Sequence, residues 1–480
     1  MTTFEQKITR LTEWLTEKDV TISPNITAKT IDGHGIGVVA GSEGIKAGEK
    51  LVEFPTAALL NPRTAKKMIW TEAGICDYEI FNKNAIKKID AEPQSKRLRV
   101  STVDSTDAWV LDKLSSPQIL SYYLYHELEK GYGSSWITFL EVLPTIDDFG
   151  AVPLVWDVLD YKGRKKYVEQ LPKRTIEHAK RMTTQFWADL TAVQDTFCNV
   201  TNVERFVWAW MCVNSRCLYY KMVEARTAND CMTLAPFIDF LNHTDEEHCE
   251  IGVYEKRTKK TGPAKKVFGL WSTRDYAAGE EVYLCYGPHT NSFLLCEYGF
   301  TLSRNRYSEL DITDEVLAEM HRERGKLCTK DDVECSRCVF LRHHKYLGDY
   351  TVSPEEASFR TAVALAAAQL PDSAFNSPLL QSRTCSSFPP EHEAEERLAL
   401  ASLEAFMATA PTYSRFGAGT REKLARILIE LLEAELPRTG GDVADSKDEA
   451  EEQVRRLYRE RADVARGQLA QLAKQSNEGK

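Results

Sequence analysis

The chain has 480 residues, 43% of them apolar, with a formal net charge of −10. This is enough apolar material to bury a large core, divided over two or three domains. The negative charge is spread along the chain and leaves no basic stripe, which argues against direct nucleic-acid binding but is compatible with a basic, lysine-bearing polypeptide partner.

The start, Met1-Thr-Thr-Phe-Glu-Gln-Lys, lacks the charged-then-apolar layout of a signal peptide, and no apolar run approaches the roughly 20 residues that span a bilayer. The twelve cysteines are scattered without a framework, as expected of reduced thiols. A cytoplasmic chain with possible access to the nucleus is the expectation, with no membrane and a monomeric state.

In chain order, Phe4, Ile8, Leu11 and Leu15 lie at helical spacing and predict a short amphipathic opening helix over 4–18. Residues 20–60, rich in Gly, Val and Ile with turn signals between, read as several short strands. From about 64 to 228 the pattern is mostly helical, with long stretches at 116–130 and 176–198. Strands return between 232 and 300, at 249–254, 267–273 and 281–286, with Gly279 marking a turn before the last. The basic segment 256–266, containing Gly262-Pro263, reads as a solvated hairpin loop. A helical block follows over about 306–436, including 359–370 and 395–408. Segment 437–447 reads as a linker. It leads to a charged terminal helix over 448–480, whose thin apolar face (Val454, Leu457, Tyr458, Leu469, Leu472) suggests a surface element. The expected class is α+β: a β-rich domain over 20–305, interrupted by a helical insertion at about 64–228 and followed by a helical domain.

Several residues stand out chemically. Asp32-Gly-His-Gly-Ile-Gly-Val-Val-Ala40 carries three alternating glycines. A dinucleotide loop would need a helix immediately after them, but here they run into a strand pattern. Asn214-Ser-Arg216 ends a helical stretch with a guanidinium suited to a carboxylate. The apolar run Leu234-Ala-Pro-Phe-Ile-Asp-Phe-Leu-Asn-His243 ends in polar side chains that are costly to bury unsatisfied. Tyr286-Gly287 and Tyr298-Gly-Phe300 follow.

Together these segments resemble the SET-domain protein methyltransferases, in the branch of the Rubisco large-subunit methyltransferase and the ribosomal-lysine methyltransferases. Trp136, Leu143-Pro144, Pro153, Trp156, Asn291 and Leu294-Leu295 fit the same pattern, and the likeness runs from about residue 20 to 300. Thr244 stands where the family usually has serine, and Thr290 precedes Asn291 where it has serine; both keep the hydroxyl. The resemblance implies that Gly35, Ile36, Arg216, Asp239, Asn242 and His243 contact S-adenosylmethionine as cofactor. It implies Tyr286 as the catalytic tyrosine, also touching cofactor, and Tyr298 and Phe300 as walls of a substrate channel. The implied reaction is methylation of a protein lysine ε-amine, in a non-histone substrate such as a ribosomal protein or translation factor. A histidine acceptor, or a non-catalytic SET-fold binding module, are the alternatives.

Cys328, Cys335 and Cys338 precede His343 and His344, and Cys335-x2-Cys338 is one proper half of a zinc site. The other half is improvised from the nearby histidines, so free thiols and no metal are the expectation.

Overall fold

The computed structural model describes residues 3–31, 35–72, 111, 113–221, 229–256, 265–322, 335–370, 372–375, 403, 417–439 and 448–478. They fall into two compact units. The first comprises Met1–Glu169, Thr175–His289 and Phe293–Phe300; the second comprises Gln170–Arg174, Thr290–Ser292 and Thr301–Lys480.

In the first unit, α1 (Phe4–Thr16) begins at a reciprocal cap in which Thr3 and Gln6 satisfy each other's backbone N–H groups. Its buried residues are Ile8, Leu11 and Leu15, as their spacing predicts. Strands β1 (Thr21–Ile22), β2 (Ile26–Ile31), β3 (Gly35–Ala40) and β4 (Lys50–Pro55) follow. The helical block then supplies α2 (Pro62–Glu72), α3 (Ser116–Lys130), α4 (Ile137–Leu140), α5 (Pro153–Leu159), α6 (Lys173–Thr196) and α7 (Val203–Arg216). After it come β5 (Leu218–Tyr219), β6 (Met232–Thr233), β7 (Asn242–His243), β8 (Cys249–Lys256), β9 (Lys265–Ser272), β10 (Glu281–Leu284) and α8 (Asn291–Tyr298), whose first two residues belong to the second unit.

The sheet pairings join the strands on the two sides of the helical block. One four-stranded sheet has the order β1-β4-β9-β8 and the other β2-β3-β10-β7. Strands from before and after the helices are therefore neighbours in both sheets, as expected of helices inserted into one β-rich body. All these pairings are antiparallel except β7–β10, where Asn242 faces Tyr283 and His243 faces Leu284 in parallel register. The β8–β9 hairpin serves as the crossover that a parallel pair requires. Its strands pair as far as Lys256 and Lys265; the loop expected between them, 257–264, lies outside the described residues.

Helix α7 carries Arg216 on its last turn. Asn202 caps its start by accepting the Arg205 N–H at 3.0 Å, and every residue from Phe206 to Val213 is buried. Two tryptophans of the insertion are core members with satisfied N–H groups: Trp156 donates to the Gly150 carbonyl at 2.8 Å and Trp208 to the Pro144 carbonyl at 2.6 Å.

The second unit contains β11 (Leu310–Asp311), α9 (Thr313–His321), α10 (Ser336–His343), β12 (Thr351–Val352), α11 (Phe359–Ala367), α12 (Gly417–Glu435) and α13 (Glu449–Glu478). Leu310, Val316, Phe340, Val363, Leu365 and Leu428 anchor its core. The terminal helix α13 is not the surface element its thin stripe suggests. Val464, Ala465 and Leu472 are buried in that core, and Leu457 and Tyr458 are also enclosed. Its charges are compatible with burial because they pair: Arg461 grips Glu435 with both prongs at 2.7 and 2.8 Å, and Glu452 receives Arg459 at 2.9 Å. The segment read as a linker begins inside a short 3-10 turn, Leu436–Thr439, while 440–447 lies outside the described residues. The helix expected over 395–408 also lies outside them, apart from Leu403. No described helix is long and apolar enough to cross a membrane.

Candidate active site

The site is built where β7 lies beside β10. Two ties from one tyrosine clamp the chain segment 241–243 against the turn after β10. The Tyr286 hydroxyl donates to the Leu241 carbonyl at 2.7 Å, and the Tyr286 backbone N–H donates to His243 Nδ1 at 3.1 Å. Because Nδ1 accepts, the neutral imidazole carries its proton on Nε2, a buried atom with no hydrogen-bond partner among the described residues. Burial and the neighbouring His289 push the His243 pKa down to about 4, so the ring is neutral at physiological pH. Burial also pushes the Tyr286 phenol well above its ordinary value, with Arg216 pulling weakly the other way.

Asn242, one residue earlier, donates through Nδ2 to Glu281 Oε1 at 2.8 Å, and the other Glu281 oxygen accepts the Tyr283 hydroxyl at 2.7 Å. The glycine pattern acts here in two ways. Gly35 has φ of +73°, a backbone shape that glycine adopts without penalty. At Gly37 the constraint is space: a Cβ would stand 2.8 Å from Glu281 Oε1 and 3.0 Å from Asn242 Nδ2. Gly37 therefore lets β3 pack directly against the Asn242–Glu281 pair. Gly33 and His34 lie outside the described residues, and Ile36 is half-buried on the main core.

Arg216 donates through Nη1 to the Asp239 carbonyl at 2.8 Å and faces the Asp239 carboxylate at 3.5 Å. The carbonyl is aimed there by a short 3-10 turn, Ile238–Phe240, entered through Phe237 at φ +78°. Such a conformation costs a bulky residue about 1–3 kcal/mol, which the surrounding core must offset. The Asp239 side chain has no exposed surface and sits behind the guanidinium. Burial raises its pKa to about 6 against the opposing pull of Arg216. Arg216 Nε and Asp239 Oδ1 are buried without partners among the described residues.

The aromatic side chains form a continuous wall. Tyr286 lies 5.0 Å from His243 and 5.1 Å from Tyr298, ring centre to ring centre. Phe300 lies 5.9 Å from His243 and 6.1 Å from Tyr298. Two members were not anticipated from the sequence: His289, stacked on Phe293 at 4.1 Å, and Phe293 itself, 6.4 Å from Tyr298. Phe293 sits five residues before Tyr298 on α8, about 140° away around the helix, so helical spacing carries no signal of their proximity. Glu281 was also missed, since only the sheet register brings it to Asn242. Asn291 is buried within the second unit, bonded to Leu302 and Glu460. It acts there as a structural residue.

The structure does not assemble Cys335 and Cys338 with His343 or His344. His343 is exposed and His344 packs on the Phe340 ring at 4.5 Å, while Cys328 lies outside the described residues.

Comparison with known proteins matches the SET domain family over residues 35–287 and the ribosomal lysine N-methyltransferase 2 C-terminal domain over residues 308–471. Ribosomal lysine N-methyltransferase 2 of Saccharomyces cerevisiae is 27% identical over 410 residues, covering 75% of this chain and 82% of its own. Ribosomal lysine N-methyltransferase set11 of Schizosaccharomyces pombe is 26% identical over 366 residues, covering 75% and 74%. Among solved structures, the SET domain of LSMT bound to lysine and AdoHcy is similar with a TM-score of 0.53 at 13% identity, covering 99% of this chain and 93% of that one. Rubisco LSMT bound to sinefungin and monomethyllysine is similar with a TM-score of 0.51 at 14% identity, covering 98% and 92%. At these identities the structural likeness speaks for the fold.

Proposed function

The chain belongs to the SET-domain family, and from that membership we propose that it transfers a methyl group from S-adenosylmethionine to a lysine ε-amine of a protein. The observation that carries this reading is the convergence of Arg216, Asn242, His243 and the rings of Tyr286, Tyr298 and Phe300 on one locus. Its acceptor, in this proposal, is a basic non-histone protein of the cytoplasm, a ribosomal protein first of all. The two ribosomal lysine methyltransferase relatives and the net charge of −10 support that choice.

The residues suit the cofactor. Arg216 Nε and His243 Nε2 are buried donors without partners among the described residues, and such groups are costly unless a ligand satisfies them. Arg216, oriented by Asp239, would hold a carboxylate. Asn242, His243 and the main chain at Gly35 and Ile36 would hold the remainder. When bound, S-adenosylmethionine supplies an electrophilic methyl on a positively charged sulfur.

The protein's task is then to align the amine and keep it deprotonated. A lysine with a pKa of about 10.4 is mostly protonated in water. Enclosure among Tyr286, Tyr298, Phe300 and the neutral His243 disfavours its charged form, so the proton leaves to solvent before the N–C bond forms as the S–C bond breaks. A neutral His243 adds no positive charge beside a cationic reactant. Tyr286 is no general base, because burial holds its phenol protonated and its proton is engaged on the Leu241 carbonyl. Its role is to orient amine and methyl through its oxygen.

The test is incubation of purified protein with tritiated S-adenosylmethionine and a cell extract, followed by digestion to amino acids. Labelled methyl-lysine in a basic protein is the expected result. Methyl-histidine would overturn the acceptor, and absence of label despite measured cofactor binding would overturn the activity.

A further inference from the structure

Outside the active site, the second unit brings together three soft or nitrogen ligands that no part of the methyl-transfer reading uses. His321 ends α9, Cys335 caps the start of α10, and Cys338 lies one turn into it. All three are buried, at 2%, 4% and 3% exposure. His321 Nδ1 lies 4.0 Å from Cys335 Sγ, and His321 Nε2 lies 3.6 Å from Cys338 Sγ. One imidazole thus turns both its nitrogens to sulfur, and the three ligand atoms stand within 4.8 Å of one another.

We propose that His321, Cys335 and Cys338 bind a structural zinc ion that pins α9 to α10. The geometry is close to what the ion requires. With Zn–S of about 2.3 Å and Zn–N of about 2.0–2.1 Å, neighbouring ligands around a tetrahedral zinc stand roughly 3.5–3.8 Å apart. A contraction of about 1 Å or less closes the cluster onto the ion. The donor set, two thiolates and an imidazole, selects zinc over the hard cations.

The surroundings favour thiolate. Cys335 Sγ accepts the Cys338 backbone N–H at 3.4 Å, at a helix N-terminus where the dipole stabilises negative charge. Between the cysteines, Arg337 is buried and donates to the carbonyls of Met320 and Leu370, which fixes a positive charge on the same turn. The competing use of a Cys-x2-Cys at a helix start is a redox pair. That chemistry needs a sulfur open to thiol exchange, and both sulfurs here are enclosed.

The site replaces the improvised half expected from His343 and His344 with a histidine fourteen residues before Cys335. A fourth position remains for a water or a further donor, and the identity of that donor does not affect the test.

The full chain is expressed without a histidine tag in zinc-supplemented medium, purified without chelator, and analysed for metal. About one zinc per chain is expected. Cys335→Ser, Cys338→Ser and His321→Gln should each drop this severalfold, while Cys198→Ser, an exposed cysteine elsewhere, should leave it unchanged. Because the variants could fail to fold, the wild-type protein is also stripped and reloaded with cobalt(II). Tetrahedral thiolate ligation then shows as a sulfur-to-cobalt charge-transfer band, and stripping should lower the thermal midpoint by roughly 5–10 °C. A zinc content under about a tenth of an equivalent, or a Cys335–Cys338 disulfide in freshly isolated protein, overturns the proposal.

Discussion

Replacing Tyr286 by phenylalanine removes one oxygen and leaves the ring, so its effect separates chemistry from packing. The ring contacts to His243 and Tyr298, at 5.0 and 5.1 Å, are retained. What is lost from the fold is the 2.7 Å hydrogen bond to the Leu241 carbonyl. A neutral bond of that kind contributes about 1 kcal/mol, with about 1–3 kcal/mol as the ceiling if the carbonyl stays buried and unsatisfied. In a chain of this size that lowers the thermal midpoint by only a few degrees. The backbone tie from Tyr286 N–H to His243 survives the change, so cofactor affinity should stay within about three-fold. If the phenol oxygen orients amine and methyl in the transition state, turnover should fall roughly 10²–10³-fold, equivalent to about 2.7–4 kcal/mol. The assay is single-turnover methylation at saturating substrate, with calorimetric titration of S-adenosylhomocysteine and a thermal scan on the same sample. A turnover within about three-fold of wild type, with the fold intact, would refute the assignment of Tyr286.

Gly37→Ala places a methyl 2.3 Å from Ile31 Cδ1 and within 3.0 Å of both Glu281 Oε1 and Asn242 Nδ2. Ile31 can swing away, but the Asn242–Glu281 bond must open, so S-adenosylhomocysteine affinity should fall about ten-fold by calorimetry; unchanged affinity would remove Asn242 from the cofactor site. Arg216→Lys keeps a charge opposite Asp239 but loses the planar fork, and should weaken the same titration at least ten-fold, by about 1.4 kcal/mol or more, at a nearly constant thermal midpoint. A loss under about two-fold would leave Arg216 with a purely structural role. Finally, burial alone would raise the Glu53 carboxyl, but hydrogen bonds from Lys256, Lys50 and Tyr254 outweigh it and bring its pKa from 4.5 down to about 2. A depressed carboxylate contributes stability above pH 4.5 that is lost as pH falls toward 2. The full shift corresponds to about 3 kcal/mol, reduced to about 1–2 kcal/mol by solvent at the half-exposed lysines. Glu53→Gln should therefore flatten the fall in urea midpoint between about pH 5 and about pH 3, and an unchanged slope would show that this network is not coupled to folding.

Much of the molecule is local and was readable from the chain. The capped amphipathic α1, the hairpin β2–β3 and the buried run of α7 follow from spacing, caps and β-branched residues, which act within a few positions. The polar ending Asn242-His243 and the tyrosines before glycine were also visible, because polar side chains closing an apolar run require a reason. Other features needed distances that spacing does not encode. Three glycines look alike in sequence, yet Gly35 is constrained by its backbone angle and Gly37 by a neighbour more than 200 positions away. The burial of the Asp239 carboxylate behind Arg216 is likewise invisible in the spacing. Helix α13 has a thin stripe, and only the folded core shows that stripe buried, with Arg461 paired to Glu435 of α12 and Arg459 to Glu452 on α13 itself.

The sequence by itself determined where helices and strands form, which residue types could carry methyl-transfer chemistry, and the family to which they belong, because these depend on short-range sterics and hydrogen bonding. The tertiary structure alone decided which of those residues meet. The parallel register of β7 on β10 brings Leu241 and His243 to Tyr286, and the placement of the end of α9 beside the start of α10 brings His321, rather than His343 or His344, to the cysteine pair. Such contacts are set by the packing of the whole core, which rewards them only after the intervening chain has closed its loops.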